Sequence, residues 1–458
     1  MNFTHQPYIP GETIAAIATP PGEGGVAIIR ISGKEALAVA AKIFSGKVFH
    51  YQTHTAHYGQ ILNDKKEIVD HALLLVMLGQ RSYTGEDTVE IHCHGGSLIT
   101  RRVLETTLKA GARAAMPGEF TFKAFINGKI DLAQAEAVQE LICAKNERAV
   151  DAASQQLEGA LSQRIENYQL RLTELTAILE AWVDFPEEGL EFASMEEIVE
   201  QLKQISDEMQ ALSETFHDGK ILHEGLSICL AGCPNVGKSS LMNALLNKER
   251  AIVSEIAGTT RDVLDDFMRL NGLHFKLSDT AGIRQTEERI EKEGIRRSRQ
   301  TMQQADVTLL LLDASRALTA EDELLLKEVP KDKTIVVWNK IDLPHAASCQ
   351  LDFPFVTHVS ARDRQGFEHL LKMIDQVVWK KGAPCKEEVV VTNVRHKESL
   401  LCATEAVKRV IDGLHTSVSP EFLTIEMRLS LSELGKIIGK NISEDILSAI
   451  FSKFCIGK

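Results

Sequence analysis

The sequence predicts a multidomain α/β protein in which a parallel-sheet α/β unit is inserted between two parts of an all-α domain, behind an N-terminal α+β domain. Three observations carry this. The length of 458 residues exceeds one ordinary domain. From about Gly225 to Lys380 short apolar runs alternate with helical segments. The helical stretches on either side each present an apolar face, so each needs the other to bury it.

In chain order, Thr13 to Ala18 and Gly25 to Ile31 are strand-like, Lys34 to Phe44 has helical spacing, and Ala72 to Met77 and Thr88 to His92 return to strands. Glycine then becomes sparse. Leu161, Ile165, Tyr168, Leu172, Leu175, Leu179 and Trp182 recur every three or four residues, which places them on one side of a helix as a core or dimer stripe. The inserted unit offers strands at Leu226 to Ala231, Phe275 to Ser278, Val307 to Leu312, Thr334 to Trp338 and Phe355 to Val359. Helical spacing resumes from about Arg395 to the end, interrupted near Ser419 and Pro420. The expected boundaries are 1–125, 126–220, 221–380 and 381–458.

Composition sets limits on function. With 44% hydrophobic and 25% charged residues the chain is neither collagenous nor largely disordered. No run approaches eighteen apolar residues, and Met1 to Glu12 lacks a signal pattern, so a cytoplasmic protein without a membrane span is expected. The eight cysteines include no CxxC pair and read as reduced thiols. At a net charge of −13 the chain is no general nucleic-acid binder; such a partner must meet a local basic patch. His92, Cys93 and His94 are metal-ligating types, but strand alternation sends Cys93 opposite to the two histidines.

The strongest chemical signal is Gly232-Cys-Pro-Asn-Val-Gly-Lys-Ser239, lying after a strand and opening a helix at Ser240 to Leu246. Its glycines let successive backbone N–H groups turn onto phosphates. Asn235, Val236, Gly237 and Ser240 shape the loop, Lys238 brings a point charge to the outer phosphates, and Ser239 offers a hydroxyl to Mg²⁺. Asp279-Thr280-Ala281-Gly282 follows a strand, where a carboxylate can reach a magnesium-bound water and the Gly282 amide the terminal phosphate. Asn339-Lys340-Ile341-Asp342 ends another strand, with the Asp342 carboxylate suited to the two adjacent N–H donors of guanine, a pair adenine lacks. Ser360-Ala361 would support the guanine carbonyl through a backbone amide.

These elements together resemble the translation-factor-related GTPases, and Gly258-Thr-Thr-Arg-Asp262 is similar to their first switch, with Thr260 as a second Mg²⁺ ligand. Ile283 follows Gly282, so the glutamine that orients water in Ras-type proteins is absent. Asn235 and the carbonyls of the 250–259 loop could instead hold K⁺ near the developing charge, and an acid among Glu287, Glu288 and Glu291 could position water.

Across nearly its whole length the chain resembles the MnmE (TrmE) family of tRNA modification GTPases, within the TrmE-Era-EngA-like class. The resemblance rests on Thr13 to Gly22, Gly24 to Gly33, Ser82-Tyr-Thr-Gly-Glu-Asp87, His94-Gly-Gly96, Pro117-Gly-Glu-Phe120, Lys129 to Glu136 and Cys455-Ile-Gly-Lys458, beside the nucleotide motifs. It implies a folate-binding, dimerising N-terminal domain, a helical domain, and an inserted Ras-like P-loop GTPase domain. It further implies a homodimer acting on tRNA with an FAD- and NADH-dependent partner, MnmG (GidA), in a heterotetramer. The implied product is an aminomethyl or carboxymethylaminomethyl group at C5 of the wobble uridine, with 5-formyltetrahydrofolate or a related folate as carbon carrier. Residue by residue it assigns Arg30, Glu90, Lys129 and Lys458 to the folate. It assigns K⁺ to Asn235, Ser254, Ile256 and Thr259, nucleotide contacts along Ser254, Glu255, Ile256, Ala257, Gly258, Thr259 and Thr260, and the orientation of water to Glu291.

Ser254 stands where other members often have Thr, and Cys233 where many have Arg; backbone ligation tolerates both. Cys455 has two readings, a reactive thiol facing folate or uridine, or a buried small hydrophobe. Two rival functions are a GTP-dependent RNA or ribosome assembly factor without modification chemistry, and a folate-regulated scaffold. The first usually carries an RNA-binding appendage, and no GxxG loop in a βα context is present.

Overall fold

The structure, a computed structural model, describes residues 11–184, 194–246, 266–270, 273–279, 302–303, 305–344, 351–379, 388–416 and 418–457. It divides into two compact units. One comprises the described residues of Met1–Ile142, Ser154–Asp207 and Ser399–Lys458; the other those of Cys143–Ala153 and Glu208–Glu398. In chain order the main segment of the second therefore interrupts the first.

In the first unit a six-stranded sheet is built from β1 (Ile14–Ile17), β2 (Gly24–Ser32), β3 (Thr55–Leu62), β4 (Ile68–Met77), β5 (Thr88–Gly95) and β6 (Arg113–Ala114), in the order β3-β4-β5-β2-β1-β6. Alternation decides which face is covered. Ile29, Ile31, Leu74, Val76, Val89, Ile91 and Cys93 pack with helix Ala36–Ile43 and Val103 of helix Ser97–Lys109 into one core. The opposite face carries rows that run across strands: Ala16, Arg30, Glu90 and Leu75 in one, Ile28, His92, Leu73 and Tyr58 in the next. Sequence patterning missed β3, because half-buried His57 and Gln60 beside exposed Tyr58 leave it too polar to stand out.

The helical stripe packs as its spacing requires. Leu161, Ile165, Tyr168, Leu172, Leu175 and Leu179 of helix Ala160–Asp184 are buried, each contributing roughly 1.5–3 kcal/mol. Helix Pro420–Ile438 lies against this helix, running antiparallel: Arg428 meets Glu180 at 2.7 Å, and Gln169 Nε2 donates to the Leu431 carbonyl at 3.2 Å. The two flanking helical stretches thus do pair. A further helix, Glu444–Phe451, brings Phe451 and Phe454 onto Leu132 and Ala135.

In the second unit β7 (Leu226–Ala231), β8 (Asp266–Leu270), β9 (Leu273–Asp279), β10 (Val307–Asp313), β11 (Thr334–Asn339) and β12 (Val356–His358) form a sheet ordered β12-β11-β10-β7-β9-β8. Every residue of β10 and β11 is buried, as expected for parallel strands covered on both faces. The sheet is mixed, not wholly parallel: β8 joins β9 in an antiparallel hairpin at the edge. The other five strands are parallel, so their C-terminal ends share one side, and the loops that carry chemistry leave from it.

Candidate functional site

The phosphate loop leaves β7 at Gly232 and enters helix Lys238–Leu246, whose first N–H groups have no intrahelical acceptor and can meet an anion. Gly232, Asn235 and Gly237 have φ of +140°, +63° and +97°. Only glycine adopts the first and last without strain, and Asn tolerates its own. At Gly237 a Cβ would also strike Asn339 Nδ2. The Lys238 ammonium folds onto its own loop, donating to the carbonyls of Gly232 at 2.7 Å and Cys233 at 2.8 Å, and it stands where a phosphate would take over. Ser239 and Asn235 are exposed at the loop, with a hydroxyl and an amide carbonyl accessible to hard cations.

Asn339, at the end of β11, is buried and ties three loops together. Its Nδ2 donates to the Val236 carbonyl at 2.9 Å, and its Oδ1 accepts from the Ala361 amide at 3.0 Å. Of the Ser360-Ala361 backbone amides, one of which was expected to serve guanine, that of Ala361 is therefore engaged by Asn339 and that of Ser360 by the Gln365 carbonyl at 3.1 Å, while Ser360 Oγ donates to Asp342 Oδ1 at 2.7 Å and orients that carboxylate. Lys340, at φ +67°, reaches Asp313 Oδ2 at 2.6 Å. Burial alone would raise the Asp313 pKa, but Lys340 and Ser315 hold it below the usual carboxylate range. Composition gave no sign of Asp313; its only signal is its place at the C-terminal end of a buried strand.

Asp279 is the last residue of β9, level with Leu230 of β7, so its backbone sits on the loop-bearing side. Ser254, Glu255, Ile256, Ala257, Gly258, Thr259, Thr260, Thr280, Ala281, Gly282 and Glu291 lie outside the described residues, as does Lys458. Among the described residues no cluster of His, Cys, Asp and Glu could hold a metal ion.

A second constellation occupies the open face of the first sheet. Arg30 Nε donates to Glu90 Oε1 at 2.8 Å, Arg30 Nη1 to the Gly457 carbonyl at 3.2 Å, and the guanidinium lies 5.7 Å from the Phe120 ring centre. His92 Nε2 approaches the other Glu90 oxygen at 3.3 Å. Tyr83 donates to Thr121 Oγ1 at 3.1 Å; burial pushes its phenol up, with Thr121 and Arg30 pulling the other way. The chain end reaches Arg30 because Gly118 N–H donates to the Cys455 carbonyl at 3.3 Å and Gly457, at φ +93°, runs so close to β1 that a Cβ would strike the Ile17 carbonyl. The buried reading of Cys455 is corrected: the residue is exposed. Lys129 is apart from this pair and donates to the Gln80 carbonyl at 2.8 Å, beside the loop that carries Tyr83. Tyr83, Thr121 and Phe120 escaped residue-by-residue reasoning, and His92 was weighed only as a metal ligand, although period-two alternation on β5 puts it on the same face as Glu90.

Two family models match: "GTP-binding protein TrmE N-terminus" over residues 13–129 and "MnmE helical domain" over 132–455. A protein named tRNA modification GTPase MnmE from Protochlamydia amoebophila is 68% identical over 459 residues, covering 100% of both chains. The chain belongs to the MnmE family of tRNA modification GTPases. MnmE proteins of Clostridioides difficile and Heliobacterium modesticaldum are 42% and 43% identical, covering 98% of this chain and 99% and 100% of theirs. As an MnmE family member the chain is a GTP hydrolase taking part in tRNA modification, binding GTP and Mg²⁺.

The family's nucleotide loop here holds a thiol that should be inert. Burial pushes Cys233 up to about 11, helped by Asp322, and burial pushes Cys93 to about 11 as well. At pH 7.5 iodoacetamide should modify exposed Cys143, Cys402 and Cys455 while sparing Cys93 and Cys233, which begin to react only as pH rises toward 11. Peptide mass spectrometry showing rapid labelling of Cys233 at pH 7.5 would contradict the burial argument.

Proposed function

We propose that this MnmE family member is a potassium-dependent GTPase of the cytoplasm that works as a homodimer with the FAD- and NADH-dependent flavoprotein MnmG in a heterotetramer. Together they add an aminomethyl or carboxymethylaminomethyl group to C5 of the wobble uridine of certain tRNAs, with a folate such as 5-formyltetrahydrofolate carrying the carbon. The observation that carries the reading is the presence, in one chain, of a phosphate loop tied by Asn339 to the Ser360-Ala361 segment and of an Arg30–Glu90 pair touched by the Gly457 carbonyl.

In the nucleotide site Lys238 exchanges its loop carbonyls for phosphate oxygens, Asp342 accepts from guanine, and Ser239 and Thr260 would hold Mg²⁺. Asn235, with Ser254, Ile256 and Thr259, would hold K⁺, which supplies positive charge where negative charge develops. Glu291 would orient the attacking water. Near the sheet face Glu90 can accept from pterin donors, while Arg30, Lys129 and Lys458 would hold polar oxygens or carboxylates, and Cys455 is exposed two residues before the Gly457 carbonyl that meets Arg30. Tyr58 and Leu73, 73% and 46% exposed in one cross-strand row, support a second copy covering that face.

Replacing K⁺ by Na⁺ should lower GTP turnover by about a hundredfold, the scale of removing one stabiliser of the developing charge. Equal turnover in both salts would defeat the cation assignment. Nucleoside mass spectrometry of tRNA from cells lacking the protein should show wobble uridines without the C5 substituent. Unchanged uridines would favour an RNA or ribosome assembly factor or a folate-regulated scaffold.

A further inference from the structure

We propose that a cleft on the helix-covered side of the N-terminal sheet, away from Arg30 and Glu90, docks the phosphate backbone of the RNA substrate. The cavity, about 540 Å³, lies between the β3–β4 turn and the helices Ala36–Ile43 and Ser97–Lys109. Four cations line it: Lys42, Lys66, Arg102 and Lys109. With Lys65 and Arg101 adjoining, six cations stand against the carboxylates of Asp64, Glu67 and Glu105, on a chain whose net charge is −13. A polyanion approaching this chain meets a net negative charge, and this patch inverts the sign locally.

The cations are placed by backbone structure. Arg102, Thr106 and Lys109 lie four and three residues apart on one side of a helix, facing the turn. Asn63 fixes that turn: its Oδ1 accepts from the amides of Lys65 and Glu67 at 3.0 and 2.9 Å, and Lys66 adopts φ +64°. The local acids are partly taken up. Glu67 accepts from Asn63 Nδ2 at 2.8 Å, and Glu105 pairs with Arg101 at 2.9 Å. Lys42 donates to the Ala110 carbonyl at 2.8 Å, closing a helix end, which accounts for it structurally. Lys66, Arg102 and Lys109 have no carboxylate within ion-pair distance among the described residues.

A small-molecule site would be anchored by a buried, fixed polar group. Here the cations are exposed on long stems, an arrangement suited to a backbone of repeating phosphates, where charge positions the ligand without reading bases. The proposal rests on the chain's part in tRNA modification but not on the uridine chemistry, so the two can fail separately.

The test measures binding of the full-length protein to an unmodified tRNA transcript by fluorescence anisotropy across a salt series. Combined Lys66→Glu, Arg102→Glu and Lys109→Glu should weaken binding at least about tenfold in 50 mM salt and reduce the slope of log K against log salt by about 2–3. GTP turnover should be unchanged, and Lys408→Glu on helix Val394–His415, which does not line the cleft, should have no effect. As a milder set, single Lys66→Gln and Arg102→Gln should each reduce the slope by just under about 1. Unaltered affinity and slope in both sets would overturn the proposal. So would intact RNA binding with lost binding of the flavoprotein, which would assign the cleft to a protein partner.

Discussion

Gly237→Ala is expected to lower GDP and GTP affinity by at least about a hundredfold. Gly237 sits at φ +97°, where an L side chain is strained by roughly 1–3 kcal/mol, and its missing Cβ leaves the space that Asn339 Nδ2 occupies. Alanine must therefore either displace the loop from its anion-binding curve or push Asn339 away from the Val236 carbonyl and the Ala361 amide. Either route detaches the phosphate loop from the segment that carries Asp342 and Ser360, and the buried polar groups left without partners cost a further 1–3 kcal/mol or so each. Titration with a fluorescent guanine nucleotide checks this, with circular dichroism to confirm folding. Unaltered affinity in a folded variant would mean that Asn339 does not hold the loop.

Asp342→Asn should exchange base specificity. In the parent, the carboxylate faces the ligand with acceptors only, and Ser360 Oγ holds Oδ1 at 2.7 Å. Guanine offers N1–H and the exocyclic amine to it, charge-assisted bonds worth about 1.5–3 kcal/mol each. An asparagine would keep its Oδ1 on Ser360 and turn an amide donor toward the base. That donor opposes the guanine amine but matches the carbonyl that xanthine carries at the same carbon. GTP affinity should fall by about 10²–10³-fold, while XTP should drive turnover in the variant and not in the parent. Competition between GTP and XTP during hydrolysis provides the measurement; a variant that still prefers GTP would remove Asp342 from base recognition.

Much of the nucleotide frame was legible because its motifs are local. Gly232 to Ser239 is one strand–turn–helix junction, and Asn339 to Asp342 one strand end, so residue order fixes geometry over a few bonds. The engagement of Ala361 by Asn339 was not legible, since it joins residues 22 apart through a buried side chain. The open-face constellation was less legible still. Arg30 and Glu90 pair across 60 residues through the β2–β5 register, and the Gly457 carbonyl joins them from 427 residues away. Family motifs named Arg30 and Glu90 but gave no reason for their meeting.

By itself the sequence determined the alternation of strands and helices, the helical stripe from Leu161 to Leu179, and the phosphate- and guanine-recognition loops, all of which depend on periodicity or turn chemistry within a few residues. Only the tertiary structure decided that β8 closes the second sheet antiparallel and that Lys340 is spoken for by Asp313. It likewise decided that Cys455 is exposed beside a carbonyl held by Arg30, and that scattered cations share one cleft. Such pairings depend on strand register and helix docking, where a one-residue slip in a strand turns every side chain to the other face, and composition carries no record of that choice.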